Sequence, residues 1–339
     1  MRSFAELDTL IGAVPFDVVR DLSGVDTGRG SELLFRDKLP ALLTSLADRA
    51  RVASIEASSA IEGVVVKNEA RAAEILAGRS SRLRTRSEQE LAGYRAALDY
   101  LYAEDWRPLN VGLLQHLHRL LFQYTNSPGG AFKRTANVVV DRLADGTTLP
   151  RFTPVSAVET PYFTQELVRR FDEKLKEARH HPVLLTGLFV LDLLTIHPFS
   201  DGNGRVARAL TNVLLQDAGY SVTRYVSFET SIARTSDGYY ATLLASTKGW
   251  HEGRHDPWPW LRYFVRLLAQ SYEEFAKLTS SARAGGGKQQ RVCDYVLKHA
   301  PRTFQISDVR AALPGVSVQT TRLTISQLKQ KRRVTVDGV

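Results

Sequence analysis

His197-Pro198-Phe199-Ser200-Asp201-Gly202-Asn203-Gly204-Arg205-Val206-Ala207-Arg208 is the stretch on which the reading of this chain turns. It follows Pro182 to Ile196, fifteen residues apolar nearly all round, which predict a buried helix. Pro198 ends that helix, and Asp201-Gly202-Asn203-Gly204 supplies a tight loop able to take positive φ. An amphipathic helix from Arg205 to Ala218 comes next. A loop opening onto a helix aims unpaired backbone N–H groups and the positive helix end at one point, which favours an anion. Arg205 and Arg208, three apart in the first turn, bring guanidinium groups suited to phosphate oxygens. Asp201 is a hard carboxylate fit for Mg²⁺ shared with phosphates, and His197 is a base that titrates near neutrality. Taken singly, such residues more often cap helices or turn loops. Together in twelve positions they assemble the parts of phosphoryl-type transfer.

Working outward, the chain reads as helices. Leucines at helical spacing run from Ser31 to Ala50 with a break at Pro40, and helices are expected over Glu88–Tyr102, Asn110–Tyr124, Thr160–Arg179 and Trp258–Leu278. Arg134 to Val155 differs. Its β-branched run Val138-Val139-Val140, its Asp145-Gly146 turn and a second extended run predict a β-hairpin. Ser280 to Gly287, ending in three glycines, reads as a linker. Beyond it, helices over Gln290–His299, Ile306–Ala312 and Val318–Lys331 and a strand over Arg333–Val336 are expected.

Composition narrows the classes. Of 339 residues, 43% are hydrophobic and 24% charged, ordinary globular usage that excludes a largely disordered or collagen-like chain. No apolar run is long enough to span a membrane, and the first residues lack a secretory pattern. The single cysteine, Cys293, allows no internal disulfide, so a cytoplasmic setting is expected. Net charge is +9, and +7 of it lies in residues 285–339, where ten Lys or Arg face three Asp. A polyanion partner, DNA in particular, would meet this tail.

The twelve-residue segment resembles the signature of the Fic-domain family, His-Pro-Phe-x-Asp/Glu-Gly-Asn-Gly-Arg-x-x-Arg, and matches each specified position. The resemblance implies a mostly α fold: a Fic helical core with a β-hairpin flap. It also implies an enzyme that moves AMP from ATP to Ser, Thr or Tyr hydroxyls of proteins, itself included. His197 would take the hydroxyl proton and Asp201 would hold Mg²⁺. Gly202, Asn203 and Gly204, with the adjoining Val206 and Ala207, would line the phosphate site. Arg205 would assist there, and Arg208 would hold the γ-phosphate. Doc kinases of the family carry a lysine where this chain has Gly204, so nucleotidyl transfer is expected over phosphorylation.

Ser58-Ser59-Ala60-Ile61-Glu62-Gly63 resembles the family's inhibitory helix, Ser/Thr-x-x-x-Glu-Gly/Asn, placed here at about residues 50–63. Ser58 and Glu62 share a helix face, and Gly63 reads as a helix stop. By the resemblance, Glu62 pairs with Arg208 and restrains transfer. Tyr239 and Tyr240 resemble the region lining the adenine pocket. The tail resembles a winged helix, an α/β domain. The expected organisation is a helical region over 1–109, a Fic core over 110–267, a helix end and linker over 268–287, and a winged-helix-like domain over 288–339. Two rival functions are removal of AMP by the same site and a nucleotide-sensing DNA-binding regulator. A homodimer is a further partner the resemblance suggests.

Overall fold

A computed structural model describes residues 2–335, apart from 37–38, 81, 104–105, 138, 143–147, 284–286 and 314. The N-terminal third holds α1 (Arg2–Ala5), α2 (Leu7–Ile11), α3 (Phe16–Arg36), α4 (Pro40–Ile61), α5 (Glu69–Leu76) and α6 (Arg86–Ala103). The middle holds α7 (Val111–Phe122), β1 (Val139–Arg142), β2 (Thr148–Phe152), α8 (Thr160–Glu177), α9 (Pro182–Ile196) and α10 (Asn203–Asp217). A 3₁₀ turn (Ser221–Arg224), α11 (Phe228–Arg234), α12 (Ser236–Thr247) and α13 (Trp258–Arg283) follow. The tail is α14 (Lys288–Lys298), α15 (Ile306–Ala312) and α16 (Val318–Gln330).

The buried helix expected at Pro182–Ile196 is α9, with the same limits. Every residue of it except Pro182 and Leu194 is buried, and α8, α10, α12 and α13 surround it. An all-apolar surface can be stable only with neighbours on every side. Its one carboxylate, Asp192, lies wholly inside and accepts from Ser3 Oγ (2.6 Å) and Trp250 Nε1 (2.6 Å), which ties the start of the chain to this axis. Pro40 stands at the first turn of α4, where its missing N–H costs nothing. From there α4 runs for 22 residues until Glu62 caps it and Gly63, at φ +74°, turns the chain away.

Two parts of the expected fold are corrected. The hairpin flap expected over 134–155 is confined to an antiparallel pair, Val139–Arg142 against Thr148–Phe152, the only sheet among the described residues. Its Asp145-Gly146 turn and Val138 lie outside them. The tail is not α/β. Arg333 to Thr335 form no strand, and Val336 lies outside the described residues. After α16, Arg332 takes φ +53°, and the N–H groups of Arg332 and Arg333 return to Lys329 O and Leu328 O (both 2.9 Å). Those groups are spent closing the helix, so the chain turns there instead of extending. Of the expected linker only part is described. Ser280 to Arg283 belong to α13, Gly287 caps α14, and Gly285 and Gly286 lie outside the described residues.

The tail rests on the body. α15 packs on α4, and α14 meets the end of α13. Ser45 Oγ of α4 donates to His299 O (3.0 Å), Tyr295 donates its hydroxyl hydrogen to Ser45 Oγ (3.2 Å), and Arg49 donates to Lys298 O.

Candidate active site

The C-terminal end of α9 places the candidate base. His197 adopts the left-handed region, φ 53° and ψ 61°, and its N–H donates to Leu193 O (3.0 Å). Its Nδ1 lies 3.2 Å from Leu194 O, a helix carbonyl that can only accept. Nδ1 therefore carries the hydrogen and Nε2 keeps its lone pair. Burial lowers the imidazole to about 4. The Leu194 carbonyl opposes this, the charge of Lys133 adds to it, and Glu62 and Asp201 pull the other way. The ring is thus neutral at pH 7.

The loop after His197 is held from within. The Asn203 side chain accepts from Phe199 N–H (2.9 Å) and donates to Phe199 O (2.8 Å). Gly202 sits at φ +76°, and its N–H donates to Asp201 Oδ1 (2.6 Å). The first main-chain bond of α10 runs from Val206 N–H to Gly202 O (3.0 Å). The N–H groups of Asn203, Gly204 and Arg205 precede it and lack intrahelical partners. These three, not those of Val206 or Ala207, form the open end of the helix. Val206 and Ala207 are buried against the core.

The two arginines separate. Arg208, 3% exposed, donates from Nε to Ser58 Oγ (2.8 Å) and from Nη2 to Ser58 O (3.1 Å) and Glu62 Oε1 (2.7 Å). Ser58 and Glu62 therefore reach Arg208 together from the end of α4. Burial pushes the Glu62 carboxyl up, but the charge and hydrogen bonding of Arg208 outweigh it and hold the group below its ordinary range. Gly204 shows how close this pair lies to the helix start. A β-carbon there would run into Glu62 Oε1 and lie 2.9 Å from Arg208 Nη1. Arg205, in contrast, turns inward. Its Nη1 donates to Glu90 Oε2 (2.6 Å), and its guanidinium lies 5.4 Å from the centre of the Phe122 ring.

Asp201 has a half-exposed side chain and keeps its second oxygen 3.6 Å from Arg86 Nη2. Among the described residues no cluster of three His, Cys, Asp or Glu is placed to hold a metal. One accessible carboxylate beside an N–H cradle suits Mg²⁺, which takes most of its oxygens from phosphates and water. Asp201 would hold it. Tyr239 is buried among Tyr240, Trp260 and Tyr263 at centroid distances of 5.1 to 6.1 Å, an arrangement of core packing. Tyr240 is the partly exposed one of the pair.

Residues 108–215 match the Fic/DOC family. These residues form a Fic domain. Over 232 residues it is 32% identical to the protein adenylyltransferase Fic of Drosophila grimshawi, covering 64% of this chain and 43% of that protein. Over 139 residues it is 33% identical to the Culex quinquefasciatus protein of the same name, covering 39% and 25%. The chain thus spans less than half the length of these curated relatives. A Fic family protein from Desulfovibrio desulfuricans superimposes with a TM-score of 0.63 at 18% identity, covering 94% of this chain and 90% of that one, which speaks for the fold. A Fic domain containing signaling protein from Bacteroides thetaiotaomicron gives 0.60 at 21%, covering 78% and 97%.

Several side chains around the Fic signature carry no sequence pattern of their own. His118 stacks on Phe199 (3.9 Å, 3°), takes the Gly130 N–H on Nδ1 (2.8 Å) and donates from Nε2 to Asp201 O (3.0 Å). Glu90 bridges Arg86 and Arg205. Their partners in the signature, Asp201 and Arg205, stand 83 and 115 residues away, so only the fold reveals them.

Proposed function

We propose that this protein transfers AMP from ATP to serine, threonine or tyrosine hydroxyls of proteins, itself included, and that Glu62 restrains the transfer. The observation that carries this is one junction. A neutral His197 with a free Nε2, three unspent N–H groups and Arg208 converge at the start of α10. In the step, the target oxygen attacks the α-phosphorus and the α–β anhydride bond breaks. Pyrophosphate leaves, and His197 Nε2 takes the hydroxyl proton. The N–H groups meet the charge on the phosphate oxygens, an interaction strengthened in a site that excludes water. Mg²⁺, when bound at Asp201, offsets phosphate charge.

Glu62 restrains this by occupying Arg208, the guanidinium meant for the γ-phosphate. ATP then sits with its α-phosphate misaligned. In the tail, Arg310, Arg322, Lys329, Arg332 and Arg333 are exposed with no carboxylate partner among the described residues, which supports a polyanion contact there. Duplex DNA binding that weakens steeply with salt would test it.

The test of the main reading is α-labelled ATP with wild type, Glu62→Gly and Glu62→Gly/His197→Ala. Label should accumulate on Glu62→Gly and vanish with His197→Ala, while ATP affinity stays. A positioned base is worth ~10²–10⁴-fold. Labelling that survives His197→Ala at more than a few per cent sinks the base assignment. Release of AMP from pre-labelled protein by wild type would turn the reading to AMP removal.

A further inference from the structure

We propose that Lys133 is the positioning residue of the catalytic loop, fixing the end of α9 at His197 and setting a positive charge beside the imidazole. The residue is 3% exposed, and among the described residues no carboxylate pairs with it. Burying an ammonium without a counter-charge is costly, and burial pulls this one down to about 8. What it holds is the main chain around His197. Nζ donates to Ile196 O (3.0 Å) and to Asn137 Oδ1 (2.9 Å), and the Lys133 N–H donates to Pro198 O (2.9 Å). Asn137 Nδ2 in turn donates to Phe199 O (3.2 Å). The carbonyls on both sides of His197 are therefore gripped by residues 133–137, just ahead of β1.

The physics of a helix end explains why a lysine suits this place. The last carbonyls of α9 have no intrahelical donors, and they carry the negative end of the helix dipole. His197 satisfies two of them, Leu193 O through its N–H and Leu194 O through Nδ1. Lys133 satisfies Ile196 O and brings the positive charge that this end favours. His197 stands in the left-handed region, which a residue with a β-carbon adopts only when its surroundings demand it. Lys133 supplies part of that demand. Its charge also faces the imidazole. Of the charged groups around the ring, Glu62 from the end of α4 and Asp201 from the loop favour protonation, and Lys133 disfavours it. Arg208 and Arg205 are committed to Glu62 and Glu90.

The significance rests on the adenylyl-transfer reading, yet the first measurement does not. NMR titration of the His197 ring is compared in Glu62→Gly protein carrying Lys133, Lys133→Met, Lys133→Gln or Lys133→Arg. Removing a positive neighbour raises an imidazole pKa. The ring should titrate roughly half a pH unit or more higher in the Met and Gln forms and stay with the parent in the Arg form. The acid limb of the labelling rate should move to higher pH by the same step, with ATP affinity unchanged and Arg restoring the parent profile. An unmoved titration in a folded Met or Gln protein overturns the proposal. So does an Arg form as impaired as Met, or loss of folding in both neutral variants, which would make the lysine a requirement of the fold alone. A moved titration without any labelling leaves the proposal standing and defeats the adenylyl-transfer reading instead.

Discussion

The two ends of α4 hold the rest of the molecule by different physics. At the C-terminal end, Ser58 and the partly exposed Glu62 take the buried Arg208 in a charged contact. Nearer the N-terminal end, Ser45 and Arg49 meet α14 mainly through the backbone oxygens of Lys298 and His299, with the Tyr295 hydroxyl added. Removing a charge-assisted hydrogen bond costs ~1.5–3 kcal/mol. Removing a neutral hydrogen bond costs ~1 kcal/mol. The active-site end is therefore the one whose state can be switched by an arriving anion. The tail end works as a dock that ATP has no direct means of loosening.

The largest effect should come from Glu62→Gly. Shifting a site from about 1:99 to an even mixture takes ~2.7 kcal/mol, half the ~5.5 kcal/mol of full inversion. A charge-assisted hydrogen bond is worth ~1.5–3 kcal/mol. Self-labelling should therefore rise tens-fold. Arg208→Ala breaks the same pair but removes the guanidinium proposed to hold the γ-phosphate, so it should not activate. Equal activation by both substitutions would break the account of this end.

Next comes the pH dependence of the same pair. The folded-state pKa of Glu62 lies below its ordinary 4.5. The pair's contribution is then fully present above that ordinary value and is lost as pH falls through the folded one. Wild type should exceed Glu62→Gln in stability by ~1–3 kcal/mol at pH 7, and the gap should close in acid. Chemical denaturation at several pH values measures it. A gap that persists in acid would mean that packing, not charge, holds this end.

How much of this was legible in the sequence differs between the regions for a physical reason. The buried helix at Pro182–Ile196, the stop at Pro198 and the turn at Gly202 are local facts, written as apolar runs and punctuation. Ser58 and Glu62 were legible as a pair because four residues make one helical turn. Arg205 was read toward phosphate because its spacing allows it. It points to Glu90 because a buried carboxylate 115 positions away offers a stronger partner than solvent. Lys133 and His118 had no neighbouring pattern, and what they serve is a set of carbonyls, which every residue has. The tail's three helices followed from periodicity. Arg333 to Thr335 form no strand because β-branched residues need a partner strand to pair with, and the turn after α16 uses the Arg333 N–H first.

The smallest effect should belong to the dock. Ser45→Ala removes the donor to His299 O and the acceptor for Tyr295, whereas Tyr295→Phe removes only the latter bond. Each group is buried, so the loss should show as ~1 kcal/mol of stability, larger for Ser45→Ala because it leaves two partners unmet. Labelling should stay at the restrained wild-type rate in both variants if the ends of α4 act independently. The alternative is mechanical. α4 is one unbroken helix from the dock to Glu62, and loosening one end of a rigid rod can shift the other. In that case Ser45→Ala would raise labelling in otherwise wild-type protein and add nothing in Glu62→Gly, where the lock is already gone. The double-mutant cycle between positions 45 and 62 decides it. A coupling near zero keeps the two ends separate. A coupling of ~1 kcal/mol would make the tail a handle on the active site.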